Sequence, residues 1–273
     1  MFGRKKEEAF CCFVDFKKAF DKVPRDKIWH RMEELRASRH LKAVVHRLYE
    51  EVKVKIRISI VIYKSFRSDI RVKQGCPLSP THFGLYITKL EEWLNSQGSD
   101  GIHLGKFVIR LLLYTDDLIL IVKTALGLQE NLLSLEHFCR RVGMQVNISK
   151  MKVVIFSNKR KHTQHKFYFE GNIPEEVADY KYFRIEFNKK LSWDGCRKKI
   201  TLRGWKAFYA FQNRCREAEL WDWKTSLTLF GLLVNLVILY SCELWAAIHL
   251  RCSGNKLRKF RSIWLQTNSK LKV

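Results

Sequence analysis

The apolar run Phe10-Cys11-Cys12-Phe13-Val14 predicts a buried strand that ends at Asp15. A turn through Lys17-Lys18-Ala19-Phe20-Asp21 follows, then a helix starting near Pro24-Arg25-Asp26 with Ile28, Met32 and Leu35 on one face. Leu41, Val44, Val45 and Leu48 mark a second helix. The period then changes to two: Val52, Val54, Ile56, Ile58 and Ile60 alternate with Lys53, Lys55 and Arg57, predicting a half-buried strand with a basic outer face. Ser79-Pro80 reads as an N-cap and first helical position for a helix through Phe83, Tyr86, Ile87, Leu90 and Leu94, closed by Gly98 to Gly101. Two apolar runs, Leu111 to Leu113 and Leu118 to Val122, flank Tyr114-Thr115-Asp116-Asp117 as a tight hairpin. A helix with Leu128, Leu132, Leu135, Phe138 and Val142 on one side stops at Gly143, and Val153 to Phe156 returns as a strand. The result is an α+β fold, a mainly antiparallel sheet with helices on one face.

From residue 157 the character changes. A basic loop, Asn158-Lys159-Arg160-Lys161, leads to two short strands, Phe167 to Phe169 and Tyr180 to Phe187, joined through Gly171-Asn172 and Pro174. Beyond Ser192 the patterning is helical: a basic, Trp-rich segment near 195–219, an apolar helix near 225–248 and a basic tail near 254–270. These shifts divide the chain into 1–157, 158–190 and a helical domain over 191–273.

Charge narrows the choice of partner. Fifty-one Lys and Arg against 27 Asp and Glu give +24 over 273 residues. The excess is spread along the chain, with 27 basic and 17 acidic residues in 1–150 and 24 and 10 in 151–273. A long basic surface suits a nucleic acid better than a point ligand; an anionic membrane surface is the competing partner on composition alone. The most apolar segment, Leu227 to Tyr240, is interrupted by Asn235 and falls short of the roughly 20 residues of a membrane span, so no membrane partner is expected. Eight cysteines without a C-x-x-C pair, and no secretory signal at the start, read as a reduced intracellular chain. His162 and His165 lack neighbouring cysteine or carboxylate partners, and no zinc site is assigned to them.

The chemistry sits in the acids. Asp116 and Asp117 at a hairpin tip repel each other unless a cation stands between them and a further acid, and Asp15 at the end of its own strand is that acid. Three such carboxylates suit a pair of divalent metal ions and an in-line phosphoryl displacement, as in the palm of a nucleic-acid polymerase. The ordinary alternative is an Asp-Asp turn, since Asp tolerates turn geometry and bonds nearby backbone.

Three segments in order, Val14-Asp15-Phe16-Lys17-Lys18-Ala19-Phe20-Asp21, Lys73-Gln74-Gly75-Cys76-Pro77-Leu78-Ser79-Pro80 and Tyr114-Thr115-Asp116-Asp117, resemble the reverse transcriptase of non-LTR (LINE-type) retrotransposons. The resemblance implies a reverse-transcriptase palm followed by a small helical thumb, with Asp15, Asp116 and Asp117 holding two Mg²⁺ ions, or Mn²⁺ in their place. It implies an RNA template, a DNA primer and dNTP as partners. Phe20 falls where the family sets an aromatic ring against the nucleotide sugar, which favours dNTP over NTP; a core Phe is the plain alternative. Gln74 and Gly75 fall beside the nascent base pair, and Tyr114 precedes the acid pair in the substrate site. Gly143 to Lys150 resembles the family's next motif, whose Lys150 could protonate pyrophosphate; a solvated Lys at a strand edge is the alternative.

Two departures fall on glycines. Where the family has Leu-Gly after Tyr-Lys-Tyr, in a hairpin that grips the primer, this chain has Phe183-Arg184, and Ser241 replaces Gly in Tyr240 to Trp245. The family's fingers precede the first Asp motif, and this chain begins 14 residues before Asp15, so a palm and thumb without fingers or endonuclease, holding dNTP weakly, is expected. A working enzyme of this type is expected in the nucleus. Two rivals stay open: an RNA-dependent RNA polymerase, and a non-catalytic nucleic-acid-binding remnant. The remnant would use Trp205, Phe208, Tyr209 and Phe211 interleaved with Arg203, Lys206 and Arg214, unless those rings pack into a core.

Overall fold

The structure is a computed structural model and describes residues 8–50, 53–55, 57–59, 61–62, 64, 66–67, 72, 76–157, 159, 165–219 and 222–245. Contacts divide the chain into two units, Met1–Ala178 and Asp179–Val273.

In the first unit, β1 (Glu8–Asp15) is followed by a single 3-10 turn at Ala19–Asp21 and by two helices, α1 (Arg25–Glu34) and α2 (Arg39–Glu50). The alternation over 52–60 is not one strand. It is folded into short antiparallel pieces: β2 (Lys53–Val54) pairs with β5 (Phe66–Arg67), and β3 (Arg57–Ile58) pairs with β4 (Val61–Ile62). Ser59, at φ 54, turns the chain between β3 and β4. The long helix expected from Ser79 is two helices, α3 (Ser79–Ile87) and α4 (Lys89–Ser96). Between them the Thr88 hydroxyl donates to the Leu85 carbonyl at 2.9 Å, the kind of side-chain competition that bends helices. A hairpin missed by pattern, β6 (Ile102–Leu104) with β7 (Phe107–Ile109), turns at Gly105, φ 61. Then come β8 (Leu111–Tyr114), β9 (Asp117–Val122), α5 (Ala125–Val142), β10 (Lys152–Ser157) and β11 (Glu175–Glu176).

The five-stranded sheet has the order β11-β10-β1-β9-β8, antiparallel except for the β10–β11 pair. Its centre is β1. Phe10, Cys12 and Val14 join Leu118, Leu120, Val122, Val153 and Ile155 against the helices, where Phe83, Leu90, Leu94, Leu128, Leu132 and Leu135 complete the core. Cys11 and Phe13, on the opposite face, are also buried, which explains the unbroken apolar run. Thr124 caps α5 by accepting from the Gly127 N–H, and Gly143 at φ 79 ends it in the left-handed conformation that favours glycine. Of the expected α2 stripe only Val45 is buried. Val45 and Tyr49 are buried while Leu41, Val44 and Leu48 stay exposed, because periodicity marks an apolar face without saying what covers it. Leu35 lies just past the end of α1 and is exposed as well.

Phe167 and Phe169 form no strand; both are buried in this core, with a lone bridge from Phe169 to Asn172. The His165 ring packs edge-on against Phe10 at 5.4 Å, an aromatic contact. His162 lies outside the described residues.

The second unit starts with a hairpin, not a single strand: β12 (Asp179–Tyr182) and β13 (Ile185–Asn188), turned by Phe183 and Arg184. Then α6 (Asp194–Glu217) and α7 (Trp223–Phe230) run into a π-type turn at Gly231–Asn235, a short α8 (Leu236–Ile238) and, after Ser241 at φ 50, α9 (Cys242–Trp245). The one apolar helix expected over 225–248 is therefore broken. Phe208 and Phe211 of α6 are buried with Phe230, Val234 and Ile238, whereas Tyr209 is exposed and stacks on Trp205 at 5.9 Å. Ile185, Cys196 and Ile200 seal the hairpin to α6. The expected tail over 254–270 lies outside the described residues. Among the described residues no helix is long and apolar enough to cross a membrane, and all seven described cysteines are free.

Candidate active site

Strand register brings the acids together. In the β1–β9 ladder Asp15 stands directly opposite Asp117, and in β8–β9 Tyr114 pairs with Asp117, so Thr115 and Asp116 form the whole of a two-residue loop. Directly opposed residues share a sheet face with Cα atoms about 4.5–5.5 Å apart. The apolar pair Val14 and Leu118, one step further along the ladder, is buried and locks that register.

The turn is strained. Thr115 has φ 52, and a β-branched residue held in that region costs about 1–3 kcal/mol. Its hydroxyl donates to Asp116 Oδ1 at 3.0 Å, which orients that carboxylate. Tyr114, just before the turn, is exposed.

A third segment closes the other side. Beyond β1 the chain bridges to the residues after α5: Phe16 pairs with Val146, the Lys17 N–H donates to the Gln145 carbonyl at 2.8 Å, and the Asn147 N–H donates to the Asp15 carbonyl at 2.7 Å. A turn follows, in which the Lys150 N–H donates to the Asn147 carbonyl at 3.0 Å and Met151 is buried. That turn presents Lys150, whose Nζ lies 3.3 Å from Asp15 Oδ2. Together these elements line a cleft of about 690 Å³ bordered by Asp15, Asp116, Lys17, Lys18, Lys22, Phe20, Gln145, Asn147 and Lys150. The partly buried Phe20 ring packs on Phe83 at 5.5 Å between centroids while also lining the cleft.

Electrostatics couple the three acids. Burial, then the charges of Asp116 and Asp15, push the Asp117 carboxyl above the usual carboxylate range, and Lys150 opposes them. Among the described residues no three His, Cys, Asp or Glu side chains are gathered closely enough to hold a metal ion. In charge and hardness, however, the donor set suits a divalent cation with oxygen ligands. Asp117's resistance to ionising beside Asp116 and Asp15 is what such a cation would relieve. Gln74 and Gly75 lie outside the described residues. Lys17, Lys18, Lys22, Gln145 and Asn147 were not singled out from sequence, although Gln145 and Asn147 bracket the buried Val146 at strand spacing and the Lys pair directly follows Asp15.

Residues 2–195 match the family model described as reverse transcriptase (RNA-dependent DNA polymerase). The chain belongs to the reverse transcriptase family. It is 25% identical over 206 residues to a retrovirus-related Pol polyprotein from a type-1 retrotransposable element R2 of Nasonia vitripennis, an alignment spanning 71% of this chain and 19% of that protein. Identity is 27% over 187 residues to the corresponding polyprotein from element R2DM of Drosophila melanogaster, covering 64% and 18%. It is 24% over 208 residues to the RNA-directed DNA polymerase from mobile element jockey of Drosophila funebris, covering 72% and 21%. The reverse transcriptase chain spans about a fifth of the length of these curated relatives. Its homology is to non-LTR retrotransposon reverse transcriptases of the R2 and jockey type, and the matched region contains every candidate residue from Asp15 to Lys150.

Both departures from the family's glycines fall on left-handed backbone. Phe183 and Arg184 have φ 46 and φ 63, and Ser241 has φ 50. Two consecutive positive φ values are what a type I′ two-residue hairpin loop demands, and Asn-Gly is the usual way to meet them.

Proposed function

We propose that this chain acts as an RNA-directed DNA polymerase, transferring a nucleotidyl group from a dNTP to the 3′-hydroxyl of a DNA primer paired with an RNA template. The observation that carries the reading is the opposition of Asp15 and Asp117 in one ladder, with Asp116 on a strained two-residue loop, at the edge of a lysine-lined cleft. Asp15, Asp116 and Asp117 would hold two Mg²⁺ ions, with Mn²⁺ as a substitute. When bound, such ions activate the attacking hydroxyl and neutralise charge on the phosphoryl oxygens.

The protein's own residues supply the rest. Lys17, Lys18 and Lys22 give the cleft the sign that draws in a triphosphate and can bond its oxygens with charge assistance. Phe20, braced by Phe83, would border the sugar of a bound nucleotide, where a 2′-hydroxyl would meet its ring. Lys150 carries an ammonium at the cleft edge that can give a proton to the departing pyrophosphate. Tyr114 would contact substrate from beside the acid pair, and Gln74 with Gly75 would flank the nascent base pair. We extend the proposal to action on chromosomal DNA in the nucleus.

The test is primer extension on an RNA template with Mg²⁺, comparing the parent with Asp116→Asn and offering dNTP or NTP. Metal-dependent dNTP addition that Asp116→Asn abolishes is expected. Extension that survives the substitution refutes the role of the acids, and a preference for NTP moves the chain to the RNA-polymerase reading.

One observation favours a second reading, a non-catalytic nucleic-acid binder: Tyr209 is exposed and stacked on Trp205 beside Lys206, a platform suited to a base. Binding that falls steeply with salt, without nucleotide incorporation, would support it.

A further inference from the structure

Asp15 and Asp116 line the cleft, Asp117 stands opposite Asp15 in the ladder, and the acids are not without a cation. Lys150 stands 3.3 Å from Asp15 Oδ2, and among the described residues it is the one cation in ion-pair contact with any of the three acids. Its backbone is fixed from two sides, by the Asn147 N–H bonded to the Asp15 carbonyl and by the turn that buries Met151, so the tether is rigid. Its side chain is not: it is 65% exposed, against 31% for Asp15. An exposed ammonium on a fixed tether can leave Asp15 without leaving the cleft. Lys17, Lys18 and Lys22 line the same cleft, so the ammonium released from Asp15 stays among the groups that suit a polyphosphate.

We propose that Lys150 is a positioning residue that serves Asp15 as a built-in counter-cation, and that a divalent ion enters the cleft by displacing it, releasing the ammonium toward the polyphosphate. Cation entry and placement of Lys150 are then one exchange. The inference rests on the polymerase reading for the identity of the ion, but not for its test. An exposed ion pair is weak, so the competition it exerts is modest, about twofold to fivefold in cation affinity.

The test is Mn²⁺ binding to the full chain followed by electron paramagnetic resonance, without nucleotide or nucleic acid, with circular dichroism to confirm the fold. Lys150→Met is expected to bind Mn²⁺ about twofold to fivefold more tightly than the parent. Lys150→Arg, which keeps a cation on the same tether, is expected to stay close to the parent. Lys17→Met removes a charge from the same cleft without touching Asp15 and is expected to gain clearly less than Lys150→Met. Unchanged affinity in Lys150→Met, or an equal gain in Lys17→Met, overturns the exchange and leaves only a general field. Failure of all four chains to bind Mn²⁺ overturns the cation reading of the acids itself.

Discussion

Arg184→Gly should make this protein more stable, although it removes a large side chain. The Phe183-Arg184 loop holds both residues at positive φ, and a non-glycine residue there costs about 1–2 kcal/mol. Glycine removes that cost but adds backbone freedom to the unfolded chain, worth about 0.5–1 kcal/mol in the other direction. The local bonds survive, because they are made to the backbone: Arg203 Nη1 donates to the Arg184 carbonyl at 3.1 Å, and the Tyr240 hydroxyl donates to the Phe183 carbonyl at 3.0 Å. The net gain is about 0.5–1 kcal/mol, or roughly 2–8 °C in the melting of a unit of this size. Urea and thermal denaturation of the full chain, followed through the tryptophans of the second unit, would measure it. Arg184→Ala keeps an L side chain at the same φ and should gain little. Equal gains from Ala and Gly would refute the strain argument and point to a guanidinium that destabilises the loop; a loss with Gly would refute it and point to the guanidinium as a stabilising contact.

The acids should show the opposite trade. Because burial and its acidic neighbours hold Asp117 above its ordinary value, the protein loses no stability to this group below its unfolded-state pKa, and loses it progressively as pH rises through the folded-state pKa. Asp117→Asn should therefore be more stable than the parent at neutral pH while losing the proposed polymerase activity, with the difference shrinking as pH falls into the carboxylate range; urea titrations at several pH values would detect it. Phe20→Val should raise the use of NTP relative to dNTP by on the order of tenfold, the scale on which a steric contact discriminates, measured as the ratio of single-addition efficiencies. An unchanged ratio would leave Phe20 as packing for Phe83 only.

Much of the first unit could be read from pattern because its signals coincide. The runs at 10–14 and 118–122 are continuous where both faces of the sheet are covered, and α5 is bracketed by a capping Thr124 and a left-handed Gly143. What failed were questions of partner, not of period. Alternation over 52–60 announced extended chain but could not reveal that it folds back at Ser59, nor could the α2 stripe reveal that most of it stays open. The division into α3 and α4 at Thr88, whose own backbone stays helical, is likewise something no periodicity records. In the site, acids at strand ends drew attention because a carboxylate closing an apolar run needs a reason. Lys17, Lys18 and Lys22 did not, because a Lys run usually means a solvated surface, and only the bridge of Phe16 to Val146 turns it into a wall. The contact between Lys150 and Asp15 depends on that same bridge, across residues distant in sequence.

Localised backbone cleavage by bound Fe²⁺ with ascorbate and peroxide tests the shared cation most directly, because an ion in the cleft generates oxidant that cuts only nearby chain. Cuts are expected together at three separated places, around Asp15, around Thr115 to Asp117 and around Asn147 to Lys150, all suppressed by excess Mg²⁺ and by Asp15→Asn. Cuts confined to one of these segments, or falling elsewhere, would mean that the three acids do not hold an ion in common.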